Sequence, residues 1–256
     1  MNVLAVFAHP DDETVLSGGI LALAAQSGMR VDYVCATRGE GGEVGEPPIC
    51  ERAMLGEVRE QELVCAVQIL GGRSLTFLGY VDPVIGEKDE LYPYTEDLNM
   101  LAGQVALSIK QFESDIVLTH GSNGEYGHPA HLVTYQAVRI AVESLQDGHA
   151  GQKKPILYTV QAQFEDNPKP HLANPQDPAH LVLDISSVLG TKIQAAQCHK
   201  SQNALFVRRA SERAARAMTI QEVIVPVESL HRAVPAWEGE PGDEFALKMR
   251  RWQRNG

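Results

Sequence analysis

The stretch Val3-Leu4-Ala5-Val6-Phe7-Ala8-His9-Pro10-Asp11-Asp12-Glu13 runs from an apolar strand straight into an acidic turn. Residues 3–8 show no polar alternation, which predicts a strand buried on both faces. A helical pattern follows over residues 14–26, closed by Gly28, and a second apolar strand is expected at 31–36. The same alternation continues outward. Strands are expected at 75–78, 115–119, 156–160 and 181–184, and helices at about 52–70, 97–112 and 129–145. Strands separated by helices imply an α/β fold with a mostly parallel sheet covered on both faces. Residues 1–202 form the expected core. Residues 203–256 contain an Arg-rich helical stretch (Arg208, Arg209, Arg213, Arg216), an extended region from Val223 and a short amphipathic end. This extension is expected to pack on the core or at a subunit interface.

The chain has 256 residues, 44% hydrophobic and 21% charged, which excludes disorder and small disulfide scaffolds. Twenty-two Lys and Arg against 33 Asp and Glu give a net charge of −11, so neither nucleic acid nor a membrane surface is an expected partner. Cys35, Cys50, Cys65 and Cys198 show no CxxC spacing and are expected to be free thiols of a reducing compartment. The first residues lack a basic region before the charges at Asp11, so no secretory signal is expected and the location reads as cytoplasmic.

Three carboxylates crowd one strand-to-helix turn beside an imidazole, and like charges raise one another's pKa unless a positive charge joins them, as a divalent cation would. The plain alternative is a capped helix: Asp12 as cap, Asp11 and Glu13 complementing the dipole, His9 in the loop. A second cluster shifts the balance. After the strand at 115–119 the chain reads His120-Gly121-Ser122-Asn123-Gly124-Glu125-Tyr126-Gly127-His128-Pro129-Ala130-His131. Pro129 suits a first helical turn, which places His128 and His131 on one face, at the same sheet edge as His9. Imidazole and carboxylate without thiolate suit Zn²⁺ first, and Fe²⁺, Mn²⁺ or Co²⁺ less well. Three protein ligands with an open position would activate water and polarise a carbonyl, which points to hydrolysis of an amide or ester. Two Gly-, Pro- and charge-rich loops, 38–48 and 82–96, should border the site at the carboxyl ends of the strands.

The motifs at 8–13 and 127–131 resemble the two signatures of the PIG-L/LmbE-like family of zinc-dependent N-acetylglucosaminyl deacetylases. Weaker matches follow in order: Thr37-Arg38-Gly39-Glu40, Arg59-x-x-Glu62-Leu63, Leu78-Gly79-Tyr80 and Cys198-His199-Lys200-Ser201-Gln202. Together they cover about residues 3–202. The resemblance implies a Rossmann-like sheet and one zinc per chain, held by His9, Asp12 and His131. It implies Asp11 as the base that activates water and His128 as the group that stabilises the oxyanion or protonates the amine. Glu40, Arg59, Asp82 and His199 become candidates for substrate contact, although Arg59 could equally pair with Glu60 or Glu62 on an exposed helix face. The implied substrate is a small N-acetylated amino sugar or its conjugate, and the implied assembly a trimer or hexamer. One departure stands out. Many relatives carry an acid between the two histidines where this chain has Ala130, so His128 has less reason to be imidazolium unless Glu125 substitutes. Two other functions compete. A nucleotide-dependent oxidoreductase is disfavoured because carboxylates stand where a Gly-rich phosphate cradle belongs. A noncatalytic metal- and sugar-binding relative would have to idle positions that are all present.

Overall fold

Every residue of β1 (Asn2–Phe7) is buried, and its side chains divide by parity between two cores. Val3, Ala5 and Phe7 enter one core, Leu4 and Val6 the other, as the two-residue period of a strand requires. The computed structural model describes residues 1–88, 90–146 and 153–255; Asp89, within the loop expected at 82–96, and Gly256 lie outside them.

From β1 the chain continues through α1 (Asp12–Gln26), β2 (Arg30–Thr37), α2 (Leu55–Ile69), β3 (Ser74–Tyr80) and α3 (Leu98–Gln111). It then forms β4 (Ile116–Thr119), the one-turn α4 (Gly124–Gly127), α5 (Pro129–Gln146) and β5 (Ile156–Val160). A small sheet pairs β6 (Ala162–Gln163) with β7 (Asn174–Pro178). The remainder comprises β8 (Leu181–Asp184), α6 (Leu189–Cys198), α7 (Lys200–Ala214), α8 (Ile220–Val223), β9 (Val227–Val234) and α9 (Glu244–Asn255). Residues of α1, α2, α6 and α9 pack in the first core, and those of α3 and α5 in the second.

The main sheet has the order β3-β2-β1-β4-β5-β9-β8. Its first five strands are parallel; β9 runs antiparallel to both β5 and β8. Strand order reverses between β1 and β4, so their carboxyl ends open a crevice, the place where such sheets bind ligands. The extended region expected from Val223 therefore supplies a strand inside the sheet rather than only a cover for it.

α1 is broken just after the acidic turn. Ser17 has φ −150° and ψ 16°, and this kink interrupts the ladder bonds that Gly19 and Ile20 would give to Val15 and Leu16. All four freed groups find partners. Glu228 of β9 accepts from the Gly19 and Ile20 N–H groups at 2.8 and 2.7 Å. Lys192 donates to the Val15 carbonyl and Gln161 to the Leu16 carbonyl. Lys192 also pairs with Glu228 at 2.6 Å.

The cysteine expectation requires correction. Cys65 of α2 and Cys198 of α6 form a disulfide with Cα atoms 5.9 Å apart, although 133 residues separate them in sequence. Helix packing, not local spacing, brings them together. Cys35 and Cys50 are free. Disulfides are rare in reducing compartments, so the cysteines no longer support the cytoplasmic expectation. No helix among the described residues is long and apolar enough to cross a membrane.

Candidate metal centre

The turn after β1 and the loop after β4 meet across the crevice. Each contains an acid with positive φ: Asp11 at 117° and Glu125 at 62°. Such backbone costs on the order of 1–3 kcal/mol per residue and persists where surrounding contacts fix it. Asp11 is fixed by its own turn: its N–H donates to Glu13, its carbonyl accepts from Thr14 and Val15, and its carboxylate takes Arg59 at 2.9 Å. Asn174 accepts from the Glu125 N–H and thereby holds the second acid.

Asp12 is the hub. One of its oxygens lies 3.2 Å from His9 Nδ1 and the other 3.3 Å from His131 Nε2. Both histidines turn their remaining nitrogen to another buried carboxylate: His9 Nε2 to Asp82 at 3.1 Å, His131 Nδ1 to Glu125 at 2.6 Å. An outer carboxylate on the far nitrogen is the arrangement that orients metal-ligating histidines. Among the described residues two donor groups have all their donor atoms within 4.8 Å of one another: His9, His128, His131, and Asp12, His120, His131. His120 is a poor ligand in the second group. The Ala8 N–H donates to its Nε2 at 3.0 Å, which puts the ring proton on Nδ1, where it is given to Glu125. With His120 occupied, the donors that remain are the imidazoles of His9 and His131 and the Asp12 carboxylate, since the Nε2 of His128 carries that ring's proton. This borderline set, free of thiolate, fits a zinc-like divalent ion.

Charge accumulates accordingly. Burial alone would lower the pKa of His9 and His131, but Asp82 beside the first and Asp12 beside the second lift them to about 10 and about 9. Burial alone would raise Asp12, yet His131 and His120 hold it well below the usual carboxylate range. Burial raises Asp11 to about 7 against the pull of Arg59. His128 differs from its neighbours: burial, then His9 and His131, push it down to about 2. Its Nδ1 accepts from the Ala130 N–H at 3.2 Å, so the neutral ring carries its proton on Nε2. It stacks on His131 with centroids 4.5 Å apart.

A cavity of about 840 Å³ opens over these groups. His9, Asp11, Asp12, His128 and His131 all line it, as do Arg59 and Asp82. Arg59 is buried rather than paired with Glu60 or Glu62 on an exposed face; it donates to the Gly39 and Pro10 carbonyls as well as to Asp11. A Cβ on Gly39, which has φ 68°, would overlap that guanidinium. Two expected substrate contacts fall elsewhere. Glu40 lies outside the cavity lining because its carboxylate accepts from the Asp82 N–H and from Arg38. His199 is fully buried behind Glu13, which it touches at 3.3 Å. Nor does Glu125 compensate for Ala130: it holds His120 and His131, and not His128. The sequence assigns no role to His120 or to Tyr126, whose ring stands edge-on to His128 and His131. An acid five residues after a strand-ending histidine is the one local signal for the His120–Glu125 pair.

Known proteins resemble this chain in sequence and in fold. Residues 4–142 match the model of the PIG-L family, described as GlcNAc-PI de-N-acetylase. The 1D-myo-inositol 2-acetamido-2-deoxy-alpha-D-glucopyranoside deacetylase of Thermobifida fusca is 30% identical over 80% of this chain and 84% of its own. A probable N-acetyl-alpha-D-glucosaminyl L-malate deacetylase 2 of Bacillus anthracis is also 30% identical, over 80% and 83%. Among solved structures, the 4-carboxy-2-hydroxymuconate hydratase GalB of Pseudomonas putida KT2440 superposes with a TM-score of 0.64 at 24% identity, over 94% and 99% of the two chains, a likeness of fold. On the family model, the relatives and the site together, the chain belongs to the PIG-L family.

Proposed function

We propose that this chain is a zinc-dependent N-deacetylase of an N-acetylglucosamine conjugate, releasing acetate and the free amine. One observation carries the reading. His9 and His131 converge on Asp12, each backed by an outer carboxylate, beside an Asp11 carboxylate that faces the same cavity. In this reading His9, Asp12 and His131 hold the metal. Zinc bound there would lower the pKa of water and polarise the acetamide carbonyl.

The remaining chemistry belongs to side chains. Asp11 takes the proton of the attacking water and returns it to the leaving amine nitrogen, and Arg59 fixes which way its carboxylate points. Glu13, backed by His199, holds the Asp11 N–H and so the strained turn. His128 acts as a neutral donor through Nε2 to the developing oxyanion, since its Nδ1 lone pair is taken by the Ala130 N–H. Asp82 acts on His9 rather than on the sugar. The two relatives named for N-acetylglucosaminyl conjugates support the sugar. Assembly into a trimer or hexamer belongs to the same reading and is checked by sedimentation.

Acetate release from N-acetylglucosaminyl inositol and N-acetylglucosaminyl malate, with metal content measured in parallel, tests the assignment. Asp11→Asn is expected to keep its metal while kcat falls roughly 10²–10⁴-fold, and His131→Ala to lose the metal. An Asp11→Asn protein with the wild-type kcat would overturn it.

A further inference from the structure

Basic side chains also line this cavity. Residues of α7 at helical spacing, Gln202, Phe206, Arg209 and Arg213, turn one face to it, and Lys169 faces it from the loop before β7. These elements lie beyond the 4–142 region of the family match. The arginines of α7 divide cleanly. Arg208 pairs with Glu43 and Glu46, and Arg216 with Glu222. Arg209 and Arg213 are exposed and Lys169 is half-buried, and none of the three side chains forms an ion pair or hydrogen bond among the described residues. Glu222, the acid on this wall, is already taken by Arg216 and by the cap it makes with Thr219. Three basic side chains without an ion-pair partner, in a chain of net charge −11, are left lining one open-sided cavity.

They also act on one another. Burial and Lys192, against the pull of Glu228 and with a smaller push from Arg213, lower the Lys169 pKa to about 7, and burial followed by Arg213 and Lys169 lowers that of His171, which also lines the cavity. An anion among them would relieve both effects. Arg209 in turn acts on Tyr126, the residue that stands against His128 and His131, so the cationic wall adjoins the reacting end. Apolar neighbours such as Phe206 and Met218 line the same wall.

We propose that Lys169, Arg209 and Arg213 form an anion subsite that binds an acidic group on the aglycone, with the acetamide at the His9–His131 end. The proposal rests on the deacetylase reading for the orientation of the ligand. Basic side chains apart from the His9–Asp12–His131 cluster would align a sugar whose aglycone carries a carboxylate or phosphate and disfavour the reverse pose.

Phenyl N-acetylglucosaminide and its 4-carboxyphenyl and 4-phosphonooxyphenyl analogues separate the contributions. Each is assayed for acetate release and, by calorimetry, for binding. The wild type should favour the acidic glycosides on the order of tenfold in kcat/KM and in binding, a preference that shrinks with salt. Comparison of the two acidic glycosides shows which group the subsite prefers. Arg209→Gln/Arg213→Gln should bring the acidic-to-neutral ratio close to one, whereas Arg208→Gln, a change at a paired arginine, should leave that ratio in place. Equal binding of neutral and acidic glycosides by the wild type, or a ratio untouched by the double substitution, would overturn the subsite. If no glycoside releases acetate, the deacetylase reading falls and the binding ratio still decides the subsite.

Discussion

Replacing Glu228 with Gln puts the kink of α1 to the test. Glu228 and Lys192 are 2% and 1% exposed, and their charged atoms lie 2.6 Å apart. Removing one partner of a buried ion pair leaves the other unpaired and costs about 3–5 kcal/mol. Gln also turns one acceptor into a donor that faces the Gly19 or Ile20 N–H. For a chain of this size each kcal/mol moves the midpoint by roughly 2–4 °C, so Tm should fall by about 6–20 °C. Adding Lys192→Met removes the stranded ammonium, and the pair should deviate from additivity by about 0.5–3 kcal/mol. Calorimetric unfolding of the two single variants and the double variant measures both quantities. A Glu228→Gln protein that melts within 2 °C (roughly 1 kcal/mol) of the wild type, or strictly additive variants, would refute the claim that Glu228 and Lys192 together repair the broken ladder.

Glu125→Gln should weaken metal affinity roughly 10–100-fold, because it removes the carboxylate that orients His131; competition with a chromogenic chelator reads this directly. His128→Ala should retain the metal and lose most kcat, while His128→Gln, which preserves an N–H donor, should retain more; loss of metal from His128→Ala would instead place His128 among the ligands. Alkylation of the unfolded, unreduced chain followed by mass spectrometry should modify Cys35 and Cys50 and leave Cys65 and Cys198 unlabelled until a reductant is added.

Strand and helix order was legible because β1, β4 and β5 are buried on both faces and read as apolar runs. The reversal of strand order between β1 and β4 was less direct, but both acid- and histidine-bearing turns follow strands, which put them at one sheet edge. β9 reads only as part of an extended region from Val223, because Glu228 and Arg232 interrupt its apolar pattern; Glu228 serves the kink in α1, a demand set more than 200 residues earlier in the chain. The cluster His9, Asp11, Asp12, His128 and His131 was readable from two local motifs. The groups that orient it were not. Glu125, His120, Glu13 and His199 act through tertiary contacts, and the choice between the two readings of Arg59, substrate contact or surface ion pair, waits on the Gly39 turn that folds over it. Ala130 was recognised as a departure, but its consequence, a neutral His128 held by a backbone N–H, depends on geometry that residue identity does not carry.

Acetate release by the metal-stripped protein, followed by titration with Zn²⁺, tests the central claim most directly. The account predicts that stripping abolishes release from an N-acetylglucosaminyl conjugate, that activity returns in proportion to zinc up to one ion per chain, and that Asp11→Asn binds the same amount without regaining activity. Full acetate release from the stripped protein, or its restoration in the Asp11→Asn variant, would contradict it.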